Sequence, residues 1–195
     1  MNIKKILAIT IIALALFSCL GAVSAGWFDF LGGDKHLIAE DSQVTVPGNY
    51  TVDDKGILAS SDTINMTFSV FKNSDDKFET KFFNAVKSDG KSAGYENITN
   101  KTVNGYTIHE FAANPKNLKN LTAETQVEGS DEAWITFPPE IAAPFDNPVD
   151  HFRSVTYLKD GKEVKLVIFT GNATVNLYSS EINGIIDSIA PVENK

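Results

Sequence analysis

Two dipeptides constrain most of what this chain can fold into. Asn104-Gly105 stands between "YENITNKTV" and "YTIHEFA", and Asp160-Gly161 between "FRSVTYLK" and "KEVKLVIFT". All four runs carry β-branched and aromatic residues. Asn-Gly and Asp-Gly favour the two-residue type I′ turn, which needs positive φ at both central positions and joins adjacent antiparallel strands. Two hairpins are expected, 95–103 with 106–112 and 152–159 with 162–170. Sequential hairpins build an antiparallel sheet, and its apolar face must be covered by other elements.

The rest of the chain supplies that cover. Ile64 to Lys72, "INMTFSVFK", alternates with period two, placing Ile64, Met66, Phe68 and Val70 inward and Asn65, Thr67 and Ser69 toward solvent. Ser74 then reads as a helix N-cap, with Asp75 and Asp76 at the positive helix end. Phe78, Phe82, Ala85 and Val86 form one helical stripe, which Asp89-Gly90 terminates. Near the C-terminus Tyr178, Ile182, Ile185, Ile186 and Ile189 form a second stripe, with Pro191 closing it. Between the hairpins "FPPEIAAPFDNP" holds four prolines in twelve residues, which dictates an irregular, stiff connection. The expected fold class is α+β: an antiparallel β-sheet with flanking amphipathic helices, an α/β/α sandwich.

The order of "INMTFSVF", a helix, "VNGYTIHEF", "FRSVTYLKDGKEVKLVIFTG" and a closing "INGIIDSI" helix resembles the PsbP superfamily over roughly residues 40–190. That superfamily includes photosystem extrinsic subunits and short secreted proteins of methanogenic archaea. The resemblance implies an antiparallel sheet flanked by helices and a non-catalytic accessory role. It lies in element order rather than in a diagnostic motif, so no metal or docking residue is carried over.

The N-terminus bears on location. Lys4 and Lys5 precede an uncharged apolar run, Ile6 to Leu20, and Val23-Ser24-Ala25 places small residues where a signal peptidase cuts. Residues 1–25 read as a signal peptide, 26–35 as a flexible leader and 36–192 as one domain. Two alternatives keep the protein at a membrane. Ile6 to Phe28 is long enough to span a bilayer uncleaved, with Trp27 at the interface, and "LFSC" places Cys19 as a lipid acceptor. Cleavage after Ala25 removes Lys4 and Lys5 and no acid, so the net charge moves from −8 to −10. It also removes Cys19, the only cysteine, so no disulfide staples the domain. Phosphate contact needs a basic footprint, so nucleic acid is not an expected partner. Six sequons, at Asn49, Asn65, Asn97, Asn100, Asn120 and Asn172, mark an expected glycosylated surface.

Several motifs suggest chemistry. "GKSAG", Gly90 to Gly94, matches a nucleophile elbow around Ser92, but an elbow lies between a strand and a following helix, and here the order is reversed. The same "GKS" ends a phosphate-loop pattern in which Ala85 occupies the place of the first glycine. His109-Glu110 are neighbours on an expected strand, so they point to opposite faces and cannot act as one acid–base unit. They read as scaffold, separately dispensable for function. His151 and Arg153, at i and i+2, share a face and form the candidate ligand-binding pair, able to clasp an anion. Asp146, Asp150 and the group Asp75, Asp76 and Glu79 offer hard oxygens for Ca²⁺ without the spacing of a calcium loop, and no His/Cys cluster has zinc spacing. Neither a catalytic residue, a metal nor a cofactor is expected. The leading functional expectation is an extracytoplasmic, secreted or cell-surface accessory or binding domain that is not an enzyme, with a partner in the cell envelope or outside it. Its alternatives are a small-ligand or Ca²⁺-binding module using the Pro-rich loop, or a wall or glycan hydrolase with paired carboxylates.

Overall fold

The computed structural model describes residues 34–39, 42–72, 76–103, 105–125, 133–137 and 148–191. The expected signal peptide and leader up to residue 33, with Cys19, and Ser74, Asp75, Asn104, Asp146 and most of the Pro-rich connection lie outside them. Twelve strands, two α-helices and one short 3-10 helix (Pro115–Asn117) are described in chain order. The strands are β1 (Lys35–Ala39), β2 (Ser42–Val46), β3 (Thr51–Val52), β4 (Leu58–Ser60), β5 (Asn65–Lys72), β6 (Tyr95–Val103), β7 (Tyr106–Ala113), β8 (Leu121–Thr125), β9 (Ala133–Phe137), β10 (His151–Lys159), β11 (Lys162–Thr170) and β12 (Ala190–Pro191). The α-helices are α1 (Asp76–Asp89), between β5 and β6, and α2 (Ser180–Asp187), between β11 and β12.

Both expected hairpins form. β6 pairs with β7, and β10 with β11, all antiparallel. Asp160 and Gly161 have φ of 51° and 75°, as a type I′ turn demands, and Gly105 has φ of 79°. The two hairpins meet through β7 and β10, setting Glu110 opposite Val155 and His109 opposite Thr156. With β5 against β11, the main sheet runs β3-β4-β5-β11-β10-β7-β6. A second sheet, β1-β2-β12, and a two-stranded one, β8-β9, complete the architecture.

Period-two alternation gives the main sheet two distinct faces. On one, Phe111, Phe152 and Phe169 pack with Phe82, Phe83, Ala85 and Val86 of α1. On the other, Val155, Val164, Leu166 and Ile168 pack with Ile182, Ile185 and Ile186 of α2 and with Leu37, Val44 and Val46 of the second sheet. Burying each of these isoleucines contributes about 1.5–3 kcal/mol before entropy.

The closing segment differs from expectation. α2 covers only Ser180–Asp187, with Ser179 as N-cap accepting from the Ile182 amide, so Tyr178 and Ile189 lie outside it. Pro191 does more than end a helix: Ala190 pairs with Gln43 and Pro191 with Ser42, extending the second sheet. A proline is tolerated there because β12 is an edge strand. The layer over this face is therefore shared between a two-turn helix and a small sheet. Asn65 is half-buried rather than solvent-facing, because it lies in the ladder between β4 and β11 beside buried Phe169.

Candidate functional site

The β7 strand carries His109 and Glu110 to opposite faces, as alternation requires. Both are buried, at 4% and 6% exposure. Each has acquired a charged partner from another element. His109 Nδ1 lies 3.5 Å from Glu79 Oε1 of α1, and its ring stacks on Phe83 at 3.9 Å between centroids. Glu79 is thus turned into the core, away from any calcium site at the helix start. Among the described residues no three His, Cys, Asp or Glu side chains gather as metal ligands.

On the other face Glu110 Oε1 accepts from Arg153 Nε at 2.9 Å, and Arg153 Nη2 lies equally close to it. Arg153 Nη1 donates to Leu177 O at 2.9 Å and to Asn183 Oδ1 at 2.8 Å, and the guanidinium lies 4.2 Å from the Tyr178 ring centroid. Burial raises the Tyr178 pKa, against the opposing influence of a hydrogen bond with Asn97 and the Arg153 charge. Two residues upstream, His151 has Nε2 2.9 Å from Val175 O and Nδ1 3.1 Å from Asp150 Oδ2. The structure does bring His151 and Arg153 to one face, and what they hold is the chain itself. Residues i and i+2 of β10 grip carbonyls i and i+2 of the segment leading into α2. Asp150 is committed to the same staple.

Ser92 lies in the turn after α1, with Oγ donating to Asp89 O at 2.8 Å. A Cβ on Gly94, where φ is 93°, would lie 2.5 Å from Asn117 O. The second glycine of "GKSAG" therefore serves a close backbone approach. Of the sequon asparagines, Asn49, Asn97, Asn100, Asn120 and Asn172 are exposed. Asn97 and Asn100 stand on β6, an edge strand of the main sheet.

An open cleft of about 180 Å³ lies where the turn ends of both hairpins meet α2 and the second sheet. Its floor comes from Tyr106, Ile108, Tyr157 and Val164 on the sheet and from Ile186 and Ile189 opposite. Lys101, Lys162, Asp187 and Ser42 add polar groups. Tyr106 and Tyr157 meet edge-on at 6.2 Å, and Lys159 Nζ lies 4.8 Å from the Tyr106 ring centroid. The Tyr157 hydroxyl donates to Ile186 O at 3.1 Å, tying the floor to the helix end. Burial, reinforced by the Asp187 and Glu110 charges, pushes the Tyr157 pKa well above the usual phenol range, so it stays neutral in physiological solution.

Sequence reasoning did not single out this cleft. Tyr106 directly follows the first turn and Tyr157 closely precedes the second, but the register that brings the hairpins together is a tertiary property. A cluster of lysines around two hairpin turns in an otherwise acidic chain was the available signal.

No family model and no curated protein sequence matches the chain. Among solved structures, it is similar to the solution structure of cyanobacterial PsbP (CyanoP) from Synechocystis sp. PCC 6803. The identity is 11%, covering 82% of this chain and 93% of that one, with a TM-score of 0.42. This is a weak likeness of fold.

Proposed function

We propose that the protein is an extracytoplasmic, non-enzymatic binding domain that takes its ligand in the cleft between the main sheet and α2. The observation that carries this reading is the make-up of that cleft, an aromatic and aliphatic floor with a few polar groups, which is how small-ligand sites are built. Glu110 is committed to Arg153, and His151 to Asp150 and Val175 O, while His109 Nδ1 and Glu79 Oε1 face each other at 3.5 Å inside the core. The N-terminal pattern and the sequons support a location outside the cytoplasm. Among the described residues no helix is long and apolar enough to cross a membrane.

Mass spectrometry of the protein from its native host tests the location. The expected mature chain starts at Gly26 and carries glycans on exposed sequons, with Asn65 unmodified. A chain that retains Met1, or starts at a lipidated Cys19, would place the domain at a membrane instead. A bare chain would remove the glycoprotein reading.

A further inference from the structure

We infer that glycans on Asn97 and Asn100 cap the β6 edge from both faces of the main sheet and keep it from pairing with a second copy of this chain. This rests on the sequons being glycosylated. β6 is a terminal strand of that sheet and runs nine residues, whereas the strand at the opposite edge, β3, has two. An edge strand offers a row of unpaired backbone N–H and C=O groups to any other strand. Short length protects β3. A long edge is usually protected by charge, proline or bulges, and β6 has little of these. Its ladder with β7 breaks between Glu96 and Thr99, where Asn97 has φ of 53°, but from Thr99 to Val103 it is regular. Those five residues are exposed, include no proline and carry a single charge, on Lys101.

The sequons stand where that protection is missing. Asn49, Asn120 and Asn172 lie outside the strands, and among the described residues Asn97 and Asn100 are the exposed sequon asparagines on a strand. Their side chains leave by opposite faces. Asn100 lies opposite His109, so it shares the α1 face. Asn97 hydrogen-bonds to Tyr178, whose ring lies against Arg153 on the α2 face. A glycosyl bond to Nδ2 leaves the carbonyl and one amide hydrogen, so that contact survives modification. Register names the pairing that is blocked. Two copies joined β6 to β6 would run antiparallel about a two-fold axis. Centred on Lys101, that pairing sets two ammonium groups directly opposite each other, which destabilises it. Centred on Asn100, it sets Thr99 against Lys101 and Asn100 against its own copy. A bulky glycan on Asn100 occupies the centre of that second register, and one on Asn97 screens its rim.

The test compares the protein from its native host with the same chain made in a host that adds no N-glycans, by sedimentation equilibrium and amide hydrogen exchange. The bare chain is expected to dimerise at least about tenfold more tightly than the glycoprotein, with exchange slowed at residues 99–103. In bare Thr99→Lys the new ammonium would face Lys101 of the second copy, so that variant should stay monomeric with an unchanged Tm. Thr99 is exposed and lies opposite Glu110, so a lysine suits the single chain. The inference would be overturned by a bare chain that stays monomeric, that dimerises no more tightly than the glycoprotein, or that slows exchange elsewhere instead. Undiminished dimerisation of Thr99→Lys would overturn it too. So would an unmodified Asn97 or Asn100 in a native chain glycosylated at other sequons, which leaves the glycoprotein reading standing. A native chain without any glycan would overturn both.

Discussion

Single residues decide how β7 is held, and their cost follows from burial. Replacing one member of a buried ion pair leaves the other charge unpaired, which costs about 3–5 kcal/mol, whereas replacing both with apolar groups is often neutral or better. Glu110→Ala should therefore destabilise by that amount in chemical denaturation, and Glu110→Leu with Arg153→Met should recover much of it. A loss below about 1 kcal/mol in the single variant would mean that Arg153 is not dependent on Glu110. Tyrosines supply a second residue-scale prediction. Burial raises the pKa of Tyr50 and Tyr157 well above the phenol range, helped by Glu181 in the first case and chiefly by Asp187 in the second. A raised folded pKa means that the folded state keeps protons that the unfolded chain releases above about pH 10, so stability falls as pH rises past that point. Tyr157→Phe should flatten the alkaline decline in pH-dependent melting; an unchanged slope would show that Tyr157 titrates alike in both states. The opposite faces of His109 and Glu110 were legible in the sequence from strand alternation alone. Their partners were not, because Glu79 and Arg153 arrive through helix packing and hairpin docking, separated by 30 and 43 positions along the chain.

At the scale of elements, local chemistry was most legible where the backbone conformation is dictated locally. Asp160-Gly161 forced its hairpin whatever the surroundings, and the predicted bounds 152–159 and 162–170 fall within one residue of those observed. The closing helix was read too long because isoleucine spacing alone does not show where a strand takes over; Ile189 keeps the helical period but leads into β12. α2 still carries the apolar cover of its face, with Ile182, Ile185 and Ile186 buried. Ile186→Asp would bury an unpaired carboxylate among them and remove about 1.5–3 kcal/mol of apolar burial. Against a typical total of about 5–15 kcal/mol, little folded protein should remain by circular dichroism. A cooperative melt like that of the parent would show α2 to be peripheral.

For the whole molecule, the sheet is an efficient separator of roles. One face is closed by α1 over an aromatic core, with His109 and Glu79 buried beneath it. The other is closed in part by α2, stapled through Arg153 and His151 to its lead-in, and there the cleft stays open at the hairpin turns. The residues picked from sequence as a ligand clasp, His151 and Arg153, hold Val175 O and Leu177 O of the lead-in to α2. The cleft itself depends on three-dimensional register, so it could not be read in advance. If the protein works by binding there, filling the cleft should abolish function without unfolding the domain. The direct measurement is an amide shift map of the native protein against a panel of single-ring and branched-chain compounds, run in parallel on the Ile189→Trp variant. We predict shifts concentrated at the turn ends of the two hairpins and at residues 186–190, recovery of every compound unchanged, and loss of the shifts in Ile189→Trp with its spectrum otherwise intact. Shifts centred elsewhere, or chemical conversion of any compound, would contradict the account.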